Sequence, residues 1–415
     1  MDRFLIWLSR YLLGVTFIFS GFVKGIDPLG SAYKFGDYFL AFGLDFLMPY
    51  TLALSFILCA AELFVGLLLI LNVRQLVGVW GALLFMGVFT PLTLVIAILD
   101  PVSDCGCFGD AIIMSNWETF FKNIPLLAAS ILLFYKRRKI SSAFPLIPDF
   151  ILAAILLFIS FSPSIYGYRN LPMLDFRPYS IGTNIAQAME VPPDAPMDEY
   201  ETILYYEKDG EVKEFTEDNF PWQDTTWTFV DSESVLVKEG YKPPIDDFVL
   251  TDLDGADQTD NVLYYPGHYI LAVSPRLNKT NVETFEKLNE IYFKAQDQGI
   301  GFACVTASSS EDINSFVGST GVAFPFLMAD EIMLKTTVRA NPGIILLNEG
   351  TIIGKWHYRN IPEASFFEGN LTAKSLELIH DKNQRLWTYL LVVMLVLVKF
   401  ALILLNFRMS WFKYK

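Results

Sequence analysis

Charge is scarce in this 415-residue chain. Only 18% of its residues are Asp, Glu, Lys or Arg, against about 25% in an ordinary soluble domain. Histidine is scarcer still, at three residues, and cysteine numbers four. Four cysteines are too few for a disulfide-dense secreted scaffold. His268, His357 and His380 are scattered without the paired spacing of a zinc site, so no metal is expected. What the chain has instead is 53% hydrophobic residues, which argues that part of it lives in lipid and excludes a purely cytosolic enzyme.

The charge that is present is unevenly spread. Residues 166–385 hold 35 of the 45 acidic and 17 of the 31 basic side chains, net −18, leaving 10 acidic and 14 basic, net +4, elsewhere. Two populations follow, a membrane part and an acidic water-soluble part. An acidic surface repels phosphate backbones, so no nucleic-acid partner is expected.

A membrane span needs roughly 20 mostly apolar residues. Candidates run over 4–24, 49–71, 76–99, 118–135 and 148–165, and a sixth, 386–406, closes the sequence. A cleaved signal peptide is the rival reading of the first, but no small-x-small cleavage site follows it. Residues 26–46 read as an interfacial helix with aromatics at headgroup level. Arg3, Arg74 and the run Lys136 to Lys139 place the N-terminus and two turns in the cytoplasm under the positive-inside rule. Counting through, the loop with Cys105 and Cys107 and the block 166–385 fall on the other side, and the C-terminus ends inside. The expected setting is a bacterial inner membrane with residues 166–385 periplasmic.

Ionisable groups inside lipid are candidates for function. Arg10 and Lys399 are near enough to the cytoplasmic side to snorkel, and Lys24 could do the same outward. Glu62 lies mid-span and is too short to reach either interface, so it must be protonated, paired or facing a polar cavity. A structural hydrogen bond and a functional site, including a quinone or other small-molecule site around Glu62 and Lys24, both remain open; no cofactor is otherwise evident. Cys59, one turn before Glu62, reads as apolar filling.

Residues 104–109 read Asp-Cys-Gly-Cys-Phe-Gly. Two cysteines spaced i, i+2 in a Gly-rich loop on the oxidising side favour thiol–disulfide exchange, because a bridge across one residue closes a tight ring and strained bridges are readily reduced. A static staple, two free thiols and a metal site compete with that reading, the last weakly for want of further ligands.

The run 17–28 (FIFSGFVKGIDP), Glu62 in AELFVG, the CGCFG signature, Trp117 and Asn123 resemble the DoxX superfamily, and within it the MauE-like branch. The resemblance covers residues 1–140 and implies a four-helix membrane module. It also implies thiol–disulfide work in protein maturation, since MauE is associated with maturation of the disulfide-rich methylamine dehydrogenase. Residues 141–165 then form a fifth membrane helix.

Residues 166–240 read as a Pro-rich linker lying on the membrane domain, followed by a small antiparallel unit with its hairpin turn at Asp209-Gly210. Over 241–370 the pattern is strand, hairpin, strand, helix, strand, helix, strand, strand, with strands at 245–255, 269–275, 301–308 and 341–356. This resembles the thioredoxin fold of the TlpA and peroxiredoxin type, with Pro342 at the place of that family's cis-proline. Residues 278–281, Asn-Lys-Thr-Asn, stand where the family carries its CxxC pair. Amides supply no thiolate, so the domain is expected to be redox-dead. Cys304, within an apolar strand, does not replace the pair. Pro342, Asn278 and Asn281 are then expected to frame a groove for a partner.

The sequence therefore describes a multi-domain membrane protein: an all-α bundle, namely a four-helix DoxX/MauE-like module plus two further spans, carrying an extracytoplasmic α/β thioredoxin-like domain. The leading function is thiol–disulfide exchange at Cys105 and Cys107 with an extracytoplasmic protein that brings its own cysteines. The alternative is a non-enzymatic membrane scaffold or assembly factor with a structural CGC loop.

Overall fold

The computed structural model describes residues 2–381 except 103, 218 and 239, together with residues 384, 388 and 391. Apart from those last two positions, the expected sixth span, 386–406, lies outside the described residues.

The apolar runs form helices α1 (Asp2–Ile26), α2 (Pro28–Ala41), α3 (Thr51–Leu71), α4 (Gln75–Leu99), α5 (Asn116–Tyr135) and α6 (Leu146–Arg169). Among the described residues α1, α4, α6 and α3 with its preceding turn are long and apolar enough to cross a membrane. α5 falls short of that measure. Its sequence explains why: Asn116, Thr119, Asn123 and Ser130 are all buried on one stripe, so this helix gives up hydropathy to line a polar interior.

α1, α3, α4 and α5 share one core built from Leu13, Phe17, Leu69, Val79, Met86 and Leu133. Large side chains such as Trp80, Leu84 and Ile98 stay exposed on the outside, as lipid-facing side chains do. Glycine sets the closest approach. A Cβ on Gly21 of α1 would stand 2.5 Å from the Leu63 amide nitrogen, and one on Gly66 of α3 would stand 2.7 Å from that of Ile18. With no hydrophobic drive between helices in lipid, such small-residue contacts let backbones pack tightly. α6 joins through Asp149, which accepts a hydrogen bond from the Arg74 amide at 2.9 Å.

After α6 come a short helix α7 (Ile185–Met189) and strands β1 (Glu199–Lys208), β2 (Glu211–Thr216) and β3 (Thr228–Lys238), paired antiparallel in the order β2-β1-β3. Asp209 and Gly210 both have positive φ, 54° and 83°, as the expected hairpin turn requires.

Next follow α8 (Thr259–Leu263), β4 (His268–Val273), α9 (Thr284–Asp297), β5 (Gly301–Thr306), α10 (Ser310–Thr320), β6 (Phe326–Met328), α11 (Glu331–Thr337), β7 (Gly343–Asn348) and β8 (Thr351–His357). The sheet order is β6-β5-β4-β7-β8, with β4, β5 and β6 parallel, β7 antiparallel to β4 and β8 antiparallel to β7. That topology, with a cis Asn341–Pro342 bond opening β7, is the thioredoxin-like fold.

Two expectations need correcting. Residues 245–255 do not form a strand: Ile245, Phe248 and Leu250 are buried, but the bridges are two isolated ones at Thr251, to Asp257 and Met328. Alternating burial was produced by a coil laid on the core, which carries the same apolar pattern as a strand. Nor is the segment after 166 merely a linker on the membrane domain. Tyr179 and Ile185 belong to the thioredoxin-like core beside Phe248 and Ile345, so the three-stranded sheet is inserted within that unit's sequence.

Candidate functional site

The site is built where the C-terminal turns of α1 and the middle of α3 meet the loop joining α4 to α5. Glu62, 1% exposed, receives the Lys24 ammonium on Oε1 at 2.7 Å and the Ser20 hydroxyl on Oε2 at 2.7 Å. Ser20 and Lys24 are four residues apart on α1, so they share a face. The mid-span glutamate is thus paired, one of the outcomes its position demanded. Lys24 does not snorkel outward; it is itself buried, because the carboxylate offers a partner that the apolar surroundings do not.

Ser20 Oγ also lies 2.8 Å from the Cys107 carbonyl, tying the ion pair to the CGC loop. Three further contacts fix that loop. Tyr38 donates its hydroxyl to the Cys105 carbonyl at 2.6 Å, Lys34 pairs with Asp104, and the Gly106 amide donates to Asp104 Oδ2 at 3.0 Å. Gly106 sits at φ +65°, a conformation glycine adopts without strain. The result is a tight turn with the Cys105 and Cys107 Sγ atoms 2.8 Å apart, both thiols free and half-buried.

The two thiols are unequal. The hydrogen bond from Cys107 is the largest influence on Cys105; with Tyr38, Lys122 and Lys24 it outweighs burial and lowers that thiol to about 7. Cys107 is raised well above the ordinary range by the same hydrogen bond and by burial. One proton shared by the pair is the physical picture. Cys105 is therefore the thiol nearer its thiolate form at neutral pH, and the thiolate is the reactive form of a cysteine.

Behind the loop lies a cavity of about 460 Å³, within the size of small-ligand pockets. Its floor includes Glu62, Lys24, Phe89, Asn123 and Leu126, and Lys122 stands at its side. Lys122 Nζ lies 4.0 Å from the ring centre of Phe108, the residue after Cys107. The far wall comes from the thioredoxin-like domain: Lys335, Thr336 and Arg339 of α11 and its exit. Arg339 Nε lies 2.8 Å from Asp27 Oδ2, and its Nη2 lies 3.6 Å from Asp110.

Residues 2–136 match the family described as methylamine utilisation protein MauE. The bundle is therefore a MauE-like membrane domain fused to a thioredoxin-like domain, and the chain is a multi-pass membrane protein. Residues 200–239, the three-stranded sheet, match a domain of unknown function, DUF8463. No curated protein matches the chain. Similar solved structures include StoA from Bacillus subtilis, 16% identical over 28% of this chain and 90% of that one, TM-score 0.23. Peroxidoxin BcpB from Mycobacterium tuberculosis is 11% identical over 32% and 92%, TM-score 0.24. Bacterioferritin comigratory protein from Xanthomonas campestris is 17% identical over 32% and 92%, TM-score 0.23.

The expected groove residues stand before α9 and at the head of β7. Pro342 is buried, Asn278 is exposed, and Asn281 donates its amide to the Asn341 carbonyl at 3.2 Å. Asn341 also accepts from Ser274 at 2.7 Å and donates to the Arg276 carbonyl at 2.9 Å. Asn281 and Asn341 thus tie the segment before α9 to the head of β7, while Asn278 stays exposed. Cys304 is fully buried, and burial pushes its thiol up. His268 hydrogen-bonds Thr372 at 3.1 Å, and His357 accepts from the Arg359 amide at 3.2 Å; among the described residues no cluster of metal-ligating side chains forms.

Sequence reasoning singled out Cys105, Cys107, Glu62 and Lys24, and the structure brings them to one cavity. It passed over Ser20, Tyr38, Lys34, Lys122 and Arg339. Helical spacing held a signal for some: Lys34 and Tyr38 are four apart, as are Ser20 and Lys24, and the buried polar stripe of α5 repeats at intervals of three and four.

Proposed function

We propose that this protein is a membrane thiol–disulfide oxidoreductase with a role in protein maturation, working through Cys105 and Cys107. The observation that carries the reading is the pair of free thiols 2.8 Å apart at the mouth of a cavity that the buried Lys24–Glu62 pair keeps polar. The Cys105 thiolate attacks a partner's disulfide, forming a mixed disulfide and releasing one partner sulfur. Cys107 then attacks the Cys105 sulfur and releases the second. Two electrons and the two thiol protons pass to the partner, which leaves as a dithiol, while the loop becomes a disulfide; the reverse sequence oxidises a partner dithiol.

Basic residues Arg3, Arg74 and Lys136 to Lys139 support an orientation with the N-terminus in the cytoplasm of a bacterial inner membrane. The CGC loop and the thioredoxin-like domain would then face the periplasm, where disulfides persist. The partner is an extracytoplasmic protein bearing its own cysteines, since residues 278–281 supply none. The CGCFG resemblance and the MauE match support the maturation role.

Alkylation of the purified protein with and without reductant, together with Cys107→Ser as a trap, tests this. Thiols that cycle and a trapped mixed disulfide uphold the proposal. Cysteines locked in one state under every redox buffer would instead make the protein a scaffold with a structural loop.

A further inference from the structure

The cations around the cavity are not equally committed. Lys24 pairs with Glu62 at 2.7 Å, Lys335 with Glu331 at 2.7 Å and Arg177 with Asp175 at 2.7 Å, while Lys34 pairs with Asp104 and Arg339 with Asp27. Lys122 differs. Among the described residues it has no carboxylate in ion-pair range, and its ammonium lies over the face of Phe108 at 4.0 Å. It is half-buried, so its charge is only partly solvated. The other lining group without an ion-pair partner, Asp37, is exposed on α2. A half-buried cation held by an aromatic face beside two thiols lacks a carboxylate partner, which a substrate could bring.

We propose that Lys122 is the specificity residue of the site and that the disulfide exchanged at Cys105 carries a carboxylate beside it, which Lys122 holds. This rests on the thiol–disulfide reading above and names the chemistry of its substrate. The ligand seats with its carboxylate at Lys122 Nζ and its disulfide at the Cys105 sulfur. The volume admits a free carboxylated disulfide or a short acidic segment around a partner's cysteine. The carboxylate takes no part in electron transfer: one disulfide is reduced to two thiols as the Cys105–Cys107 bridge forms.

Three disulfides of nearly equal size and different charge test it on the full-length protein in lipid nanodiscs: 3,3′-dithiodipropionate, its diamide and cystamine. The readout is the rate at which the reduced dithiol becomes resistant to alkylation, resolved into KM and the limiting rate. The dianion is expected to react about tenfold or more faster than the diamide, through KM, with cystamine slowest. Lys122→Gln collapses that ratio and Lys122→Arg retains it. If Lys122→Gln slows all three reagents equally, the lysine merely favours the thiolate and the proposal is overturned. The wild-type ranking decides alone should the variant not fold, since equal rates, or cystamine fastest, also overturn it. If none of the three oxidises the dithiol, the thiol–disulfide reading itself fails. A peptide disulfide with flanking aspartates, run beside the free dianion, distinguishes the two sources: whichever reacts faster at equal concentration supplies the carboxylate.

Discussion

Arg339 reaches Asp27 across 312 positions of sequence, Nε to Oδ2 at 2.8 Å, and in doing so fastens the thioredoxin-like domain onto the membrane bundle beside the CGC loop. Asp27 also caps α2, accepting the Gly30 amide at 3.0 Å, with Pro28 at the first helical position. One carboxylate therefore orders the helix that carries Lys34 and Tyr38 and holds the domain lying over the thiols. Arg339 stands three residues before the cis Pro342, so the end of the sheet where a thioredoxin would keep its CxxC pair here faces another part of the same chain. Lys335 and Arg339 both lie over the Tyr33 ring, at 4.9 and 5.3 Å.

Arg339→Ala should loosen that contact and expose the thiols. Removing one partner of a buried ion pair costs about 3–5 kcal/mol, and Arg339 is 7% exposed. The expected result is faster alkylation of Cys105 and faster proteolysis between the domains, with Asp27→Asn showing the same direction. Unchanged alkylation in both variants would mean the contact does not guard the loop. The pH dependence follows from Asp27. Burial raises its carboxyl, but Arg339, Arg177 and the Gly30 amide outweigh burial and leave it below the usual carboxylate range. A depressed acid stabilises above its unfolded value, about 3.9, and loses that contribution as pH falls through the lower folded value. Docking should therefore hold at pH 5 and fail only in stronger acid.

Cys105 should react with iodoacetamide along a titration centred near pH 7, the value to which Cys107, Tyr38 and the nearby lysines bring it. Cys107 should stay unreactive at neutral pH while its partner is a thiolate. Cys107→Ala removes the hydrogen bond and should move the Cys105 profile up toward an ordinary thiol, about 8.5. Mass spectrometry of each cysteine against pH decides it, and equal reactivity of the two at pH 7 would refute the asymmetry.

Much of the membrane domain could be read from its residues because lipid leaves few solutions: apolar runs of fixed length, basic flanks, and a mid-span glutamate that had to find a partner. The strands β4, β5, β7 and β8 were equally visible, since each is an apolar run bounded by turn residues. Residues 245–255 misled because buried coil and buried strand share one pattern. The short strand β6 and helix α11 left too little periodicity to detect. Arg339 and Lys122 were invisible as site residues for a different reason. Their meaning lies in what stands opposite them, 312 residues away for Arg339 and across a loop for Lys122, and local spacing carries no trace of that.

Lys355 of β8 gives the thioredoxin-like domain a pH signature. It is buried, 2.8 Å from Asp175 and 2.9 Å from the Tyr179 carbonyl. Burial and then Arg177, which also claims Asp175, outweigh the single carboxylate and lower Lys355 to about 7. Burial raises Asp175, but its two cations, Lys355 and Arg177, outweigh it and hold the acid below the usual carboxylate range. Between pH 7 and about 10.4 the unfolded lysine holds a proton that the folded one has lost, so stability rises with pH across that window. Hydrogen exchange of the β7 and β8 amides, corrected for intrinsic rate, should show growing protection from pH 7 to 9. Lys355→Met should flatten the rise, and a rise that persists in the variant would assign it elsewhere.

The Lys24–Glu62 pair should behave as a unit in the membrane bundle. Glu62 has both carboxylate oxygens engaged, by Lys24 and Ser20, and both ions are buried. Lys24→Met leaves a buried carboxylate and Glu62→Leu leaves a buried ammonium, each at a cost of about 3–5 kcal/mol. The double variant removes both charges and should recover most of that loss, because a desolvated pair and apolar groups of similar volume are close in energy. Thermal unfolding in detergent across the four proteins of the cycle measures the coupling directly. Glu62→Gln separates chemistry from folding, since the amide oxygen can still accept from Lys24 while the amide NH2 donates to the Ser20 oxygen. If the pair only braces the bundle, Glu62→Gln should retain thiol exchange in proportion to its folded fraction. If it tunes the loop through Ser20 and the Cys107 carbonyl, exchange should fall while the bundle stays folded. Additive losses in the cycle would show that the two charges act on the fold independently, despite their 2.7 Å contact.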